Sequence, residues 1–120
     1  MIQRRPSWPD PWRCTVEVLV VSGCPGTQLA VARINEATSA LAMETNLRFV
    51  TVEDEAQARE LRFVGSPTVR VEGEDVEDVS GRPFGLSCRL YDGERAPSLA
   101  AIRAALARSH PLVQARSAVR

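Results

Sequence analysis

The most constraining feature of the chain is an apolar run, CTVEVLVVS, over residues 14–22. Aliphatic side chains fall on both faces of the strand that this run predicts: Val16, Val18 and Val20 on one, Leu19 and Val21 on the other. A strand that is apolar on both faces is typical of the centre of a sheet covered by helices on both sides. The run therefore predicts an α/β domain built around this strand.

Helical and strand patterns alternate along the rest of the chain. They predict a helix over 25–44, a strand over 47–52, a helix over 55–62, a β-hairpin from 68–71 and 75–79, and a helix over 97–108. Pro25 suits the first position of the first helix, and Asp54 is placed to cap the second. The helix crossover should make the first two strands parallel, whereas the hairpin adds antiparallel strands. The predicted order is β-α-β-α-β-β-α, a mixed four-stranded sheet with helices on both faces.

The length of 120 residues suits one domain. Residues 1–13 hold three prolines and two tryptophans, which exclude a helix or a central strand there and predict an extended arm. The domain itself is expected over 14–108. The polar and small residues at 109–120 predict a flexible tail.

The overall charge argues against several classes of partner. The 15 basic and 15 acidic residues give a formal net charge of zero, whereas proteins that bind nucleic acid or anionic membranes usually carry a basic excess. No apolar run is long enough to cross a membrane, and the opening residues lack the apolar core of a secretory signal. We therefore expect a cytoplasmic protein whose three cysteines are free thiols.

Cys24 is the first candidate for chemistry, because it stands between the central strand and the first helix. The start of a helix presents unpaired N–H groups and the positive end of the helix dipole, and both favour a thiolate over a thiol. The thiolate is the nucleophilic form of cysteine. Cys24 is thus either a working nucleophile or a small residue that fills a tight turn.

Three short motifs occur in order: Gly23-Cys24-Pro25, Gly65-Ser66-Pro67-Thr68 and Cys88-Arg89-Leu90-Tyr91. With them the chain resembles the thioredoxin-like superfamily over residues 14–108, and within it a group of small bacterial thioredoxin-like proteins. The resemblance implies a thioredoxin fold and thiol–disulfide exchange in which Cys24 attacks. It implies that Pro67 is the cis-proline beside that thiol. It further implies that the backbone of Ser66 pairs with a bound peptide and that Pro25 flanks the substrate.

The sequence departs from thioredoxins at Thr27, which stands where they carry the resolving cysteine. A hydroxyl cannot resolve a mixed disulfide. The Thr27 hydroxyl could donate a hydrogen bond to the Cys24 thiolate, or it could cap backbone N–H groups of the helix.

Cys88 offers another route to a resolving thiol, because it lies in a glycine-containing loop over 80–96. Phe84 and Tyr91 are expected to anchor this loop over the Cys24 pocket. Cys88 is then either the redox partner of Cys24 or a buried structural thiol. Arg89 beside it could stabilise a thiolate, receive an anion, or stand idle on the surface. Cys14 begins the first strand and should lie at the opposite end of the sheet.

Other mechanisms find little support. The only histidine, His110, lies beyond the last helix, which argues against a papain-type site. The cysteines lack a short chelating spacing for zinc, so we expect neither metal nor cofactor. The acidic residues between 72 and 78 predict a solvated hairpin edge without the spacing of a calcium loop.

Two further functions remain open beside thiol–disulfide exchange with a protein or small-molecule substrate. The absence of a cysteine at position 27 also suits a thioredoxin-fold binding or adaptor domain without turnover. The resemblance also allows thiol handling of soft metals or organomercurials, for which thiolates are suitable ligands.

Overall fold

The computed structural model describes residues 13–109, within which four strands and three helices follow the predicted order. The strands are β1 (Arg13–Val20), β2 (Glu44–Thr51), β3 (Thr68–Val71) and β4 (Glu74–Asp75). The helices are α1 (Thr27–Ala40), α2 (Glu55–Glu60) and α3 (Leu99–Ser109). Apart from Arg13 and Ser109, the predicted arm and tail lie outside the described residues, as does His110. None of these three helices is long and apolar enough to cross a membrane.

The strands form one mixed sheet in the order β2-β1-β3-β4. β1 runs parallel to β2, with Val18 opposite Phe49, and antiparallel to β3, with Val18 opposite Val69. β3 and β4 form the antiparallel hairpin. The α/β class and the mixed four-stranded sheet are therefore confirmed, with the first predicted strand at an interior position.

Two apolar clusters form on opposite sides of β1, because successive side chains of a strand point to opposite faces. The larger cluster joins β1 to α1 and α3: Val16, Val18, Val20, Ala30, Ile34 and Ile102 are among its members. The smaller one joins Leu19 to Val52, Ala58 of α2 and Phe63. Helices therefore cover both faces of the sheet, as the two-sided apolar pattern of β1 predicts.

The predicted boundaries of the first helix are wrong at both ends. α1 begins at Thr27 with Gly26 as its N-cap, so Pro25 lies in the preceding turn rather than at the first helical position. The helix ends at Ala40 instead of residue 44, and Ala42 turns the chain with a φ of 53°. β2 then begins at Glu44, three residues before the predicted start, where its carboxylate pairs with Arg13 across the sheet.

The second predicted helix and the hairpin show how local polar groups set boundaries. Asp54 caps α2, as predicted, by accepting a hydrogen bond from the Gln57 N–H at 2.8 Å. The hairpin turns at Glu72 and Gly73, but β4 ends at Asp75 rather than at residue 79. Its end coincides with a turn in which the Asp75 carboxylate accepts the Glu77 N–H. Val76, inside this turn, still donates its N–H to the Val69 carbonyl of β3 at 3.1 Å.

Candidate functional site

Cys24 lies in a tight turn between β1 and α1. Its N–H donates to the Val21 carbonyl at 3.2 Å, and its own carbonyl accepts the Thr27 N–H at 3.3 Å. The thiol is free and partly buried, and the side chain packs against the larger apolar cluster. Because α1 begins at Thr27, Cys24 stands two residues before the N-cap rather than directly at the helix start.

Pro67 lies against the start of α1. A Cβ on Gly26 would stand 3.0 Å from Cδ of Pro67 and 2.2 Å from the carbonyl oxygen of Arg95. Only glycine permits this approach, since real Cβ atoms do not come that close to a backbone oxygen. The Ser66–Pro67 peptide bond is cis. Pro67 therefore lies against Gly26, which is two positions from Cys24 along the chain, and its peptide bond is cis as the resemblance implies.

Ser66 connects the Cys24 turn to the loop that carries Cys88. Its hydroxyl accepts the Val21 N–H at 3.0 Å. Its own N–H donates to the Ser87 carbonyl at 2.9 Å, and its carbonyl accepts the Arg89 N–H at 3.0 Å. Ser66 and Cys88 are therefore partners in a parallel β-bridge. The expectation that the Ser66 backbone is open to a bound peptide is wrong, because the chain itself occupies both groups.

Cys88 is an exposed, free thiol. This excludes the alternative that it is a buried structural cysteine; its neighbour Leu90 is exposed too, at 60 % of its surface. Hydrogen bonds connect the segment of Cys88 to the Cys24 turn. The two residues on either side of Cys88 bond to the backbone of Ser66, and the Ser66 hydroxyl accepts the N–H of Val21, whose carbonyl accepts the Cys24 N–H. Of the two aromatic residues expected to anchor the loop, Tyr91 is buried, whereas Phe84 is exposed.

Arg89 is buried, with 3 % of its surface exposed, which excludes the alternative of a surface arginine without a role. Its guanidinium contacts both carboxylate oxygens of Asp75, at 2.7 and 2.8 Å, and the Thr68 hydroxyl at 3.2 Å. It also stacks 4.4 Å from the centroid of the Tyr91 ring. The anion that Arg89 binds is therefore the carboxylate of Asp75 in the same chain. The expectation of a solvated acidic edge is wrong for Asp75, because its side chain is only 8 % exposed.

Electrostatics support a permanently charged guanidinium at this position. Burial opposes the charge, but the hydrogen bonds that the guanidinium donates to Asp75, together with the neighbouring Tyr91 and Glu77, raise the pKa of Arg89. Burial also raises the pKa of Tyr91, whose hydroxyl donates to the Pro67 carbonyl. The loop is thus bonded to the chain next to Pro67 at two points, by Arg89 to the Thr68 hydroxyl and by Tyr91 to the Pro67 carbonyl.

The Thr27 hydroxyl takes up neither of its expected roles. α1 has no side-chain cap, and within residues 13–109 no hydrogen bond joins this hydroxyl to the Cys24 sulfur. Pro25, the next residue along the chain from Cys24, is exposed.

Cys14 lies at the far end of β1, opposite Thr45 of β2, and is 1 % exposed. Burial, followed by the charge of Glu72, raises the pKa of Cys14 from 9.0 to about 11. It therefore remains a neutral thiol at physiological pH, as expected for a residue without a chemical role. No group of three potential metal ligands occurs in the part of the chain that is described.

Sequence reasoning missed the contact of Asp75 with Arg89. On sequence grounds the two residues are interpreted separately: Asp75 is placed in a solvated acidic edge, and Arg89 is considered only in relation to Cys88 or an external anion. The apolar residues that follow Arg89 give no reliable signal of its burial, since Tyr91 is buried and Leu90 is exposed, and they do not identify an acidic partner 14 residues away.

In comparisons with known proteins, no family model, curated protein or solved structure matches this chain.

Proposed function

We propose that this chain is a thioredoxin-like thiol–disulfide oxidoreductase in which Cys24 attacks a disulfide and Cys88 resolves the product. The observation that carries the proposal is that Ser66 contacts both the Cys24 turn and the segment of Cys88. Its hydroxyl holds Val21 at the base of the Cys24 turn, and its backbone pairs with Cys88. The turn that carries Cys24 and the segment that carries Cys88 therefore both contact Ser66, although the two free thiols are 64 positions apart in the sequence.

The surroundings of the two thiols support this choice of roles. Cys24 is partly buried against the core and held in a defined turn, which suits a nucleophile that must be oriented. Cys88 is exposed in a loop, which suits a thiol that attacks second. Thr27 cannot take the second role, since its hydroxyl does not replace a thiol in disulfide exchange.

The chemistry conserves atoms and electrons in two exchanges. The Cys24 thiolate attacks a disulfide RS–SR, forms a Cys24–S–SR mixed disulfide, and releases RS⁻. The Cys88 thiolate then attacks the Cys24 sulfur and releases the second RS⁻. The substrate disulfide is reduced to two thiols, and the protein is oxidised to a Cys24–Cys88 disulfide. The protons lost by the two cysteines end on the released thiolates.

Trapping the intermediate tests this proposal. The reduced protein is treated with one equivalent of bis(2-hydroxyethyl) disulfide, and the products are followed by intact mass and peptide mapping. The wild type should lose two hydrogens and yield a Cys24–Cys88 peptide. Cys88→Ser should stop at a stable adduct on Cys24. Cys14→Ser is the matched control and should behave like the wild type.

Two results would contradict the proposal. One is a wild type that forms no Cys24–Cys88 link while Cys88→Ser accumulates no adduct on Cys24. The other is a Cys24→Ser variant that consumes the disulfide as fast as the wild type. A protein that behaves in the first way would fit a binding or adaptor domain that keeps the fold without turnover.

A further inference from the structure

The segment 87–89 is paired with Ser66 as a short parallel strand. It uses the Ser66 N–H and the Ser66 carbonyl, at 2.9 and 3.0 Å. Directly after this point, β3 is paired on one side with β1 and on the other with β4. No backbone hydrogen-bonding group of Ser66 is therefore left for another chain.

This pairing matters for the substrate, because an extended peptide binds to a sheet through unpaired backbone N–H and C=O groups. Ser66 is the residue of this sheet region that the Val21 contact holds next to the Cys24 turn. A polypeptide that approaches Cys24 would have to displace residues 87–89 before it could pair there. A small disulfide needs no backbone pairing, and it can approach Cys24 past Ser22, Gly23 and Pro25, which are all exposed.

The segment is fastened from the side facing β3. The Arg89 side chain is bound through two hydrogen bonds to Asp75 and one to Thr68. Gly65 allows the close approach, since a Cβ there would stand 2.9 Å from Cβ of Arg89. Tyr91 completes the anchor by donating its hydroxyl hydrogen to the Pro67 carbonyl.

This ion pair contributes more to fixing the position of residues 87–89 than to the stability of the fold. Burying an ion pair costs desolvation that its attraction often only offsets, whereas the two-point contact of a guanidinium with a carboxylate fixes orientation. The buried Nε of Arg89 has no hydrogen-bond partner among the described residues, which adds to the cost. An apolar side chain would pack here at lower cost but would not hold residues 87–89 in register.

We propose that Arg89 and Asp75 are positioning residues that hold residues 87–89 across Ser66, and that Cys24 therefore reacts with low-molecular-weight disulfides in preference to disulfides of extended polypeptides. This inference rests on the proposed function. The reaction is the exchange already written, with the small disulfide as the oxidant that is reduced to two thiols.

A pair of substrates with the same leaving group tests the inference. The first is bis(2-hydroxyethyl) disulfide, and the second is an unstructured peptide of about ten residues whose single cysteine is joined to mercaptoethanol by a disulfide bond. Stopped-flow release of mercaptoethanol gives the second-order rate constant for each. The wild type should prefer the small disulfide by roughly tenfold or more. Arg89→Lys and Asp75→Asn should bring the ratio close to one, while Arg82→Lys, an exposed change in the same loop, should keep it.

Hydrogen exchange provides a readout that does not depend on activity. The Ser66 and Arg89 amides should be protected in the wild type and should lose protection selectively in Asp75→Asn, with β1 still protected. Equal wild-type rates with both substrates, or unprotected Ser66 and Arg89 amides in the wild type, would overturn the inference alone. A wild type that reacts with neither substrate would overturn the proposed function and the inference with it. If the variants unfold, the wild-type ratio and the wild-type amides still decide the question.

Discussion

The Val21 N–H donates a hydrogen bond to the Ser66 hydroxyl at 3.0 Å, and this contact joins the end of β1 to the residues that precede β3. Ser66 is 2 % exposed, so water cannot replace the hydroxyl once it is removed. The contact connects the Cys24 turn to the loop of Cys88. Loss of this hydrogen bond should lower the free energy of unfolding and change the relative position of the two thiols.

Ser66→Ala should lower the free energy of unfolding by about 1–3 kcal/mol, because the Val21 N–H loses its acceptor in a buried position. Urea denaturation of the reduced protein measures the change. Ser87→Ala is the matched control: it removes the same hydroxyl from an exposed position in the segment that pairs with Ser66. A loss of equal size in both variants would contradict the importance of the Val21 contact.

Gly26→Ala should destabilise the protein by about 1–3 kcal/mol. The added Cβ would lie 2.2 Å from the Arg95 carbonyl oxygen, so the start of α1 or the loop at Arg95 must move. Gly85→Ala is the control, because the nearest atom to its Cβ would be a Glu55 carboxylate oxygen at 3.9 Å, an ordinary contact. Thermal unfolding of both variants checks this prediction, which fails if Gly26→Ala is as stable as the control.

The raised pKa of Cys14 predicts a loss of stability in alkaline solution. The unfolded chain releases the Cys14 proton near its ordinary pKa of 9.0, whereas the folded protein holds the proton until about pH 11. The contribution is therefore complete below pH 9 and is lost as the pH rises from 9 to 11. Over this interval, the unfolding free energy of the wild type should fall by about 2 kcal/mol more than that of Cys14→Ala. Parallel slopes for the two proteins would contradict the burial of this thiol.

The three thiols should differ in their rates of alkylation. Cys14 is buried, Cys24 is partly buried and Cys88 is exposed. In native reduced protein, iodoacetamide should modify Cys14 roughly a hundredfold more slowly than Cys88, since Cys14 reacts only when the fold opens. Mass spectrometry of the peptides over time gives the three rates, and alkylation in urea, where the rates should converge, is the control. Equal native rates at Cys14 and Cys88 would contradict the structure of β1.

Several elements could be predicted because their signals are local. The aliphatic residues on both faces of residues 14–22 require cover on both sides, and the structure places apolar clusters on both sides of β1. Asp54 identifies the start of α2, since a cap and its N–H partner are only three residues apart. The strand directions follow from the helix crossover between the first two strands and from the hairpin, and the sheet confirms them.

The boundaries of α1 could not be predicted in the same way, because contacts distant in sequence decide them. Pro25 satisfies the rules for a first helical residue, yet the helix begins at Thr27, where Gly26 packs against Arg95 and Pro67. The end of the helix depends on β2, whose first residue, Glu44, is paired with Arg13 at the beginning of β1. No periodicity within the helix carries information on either contact.

The sequence alone was sufficient for the α/β class, the order of the elements and the selection of Cys24, Ser66, Pro67 and Cys88 as residues of interest. Apolar periodicity, turn residues and thiol chemistry are properties of short segments, so they can be read without coordinates. Only the tertiary structure decided that Cys88 is exposed and paired with Ser66, and that Arg89 turns inward to Asp75. A charged side chain is buried only where its partner is already in place, and that depends on how the hairpin and the loop fold together.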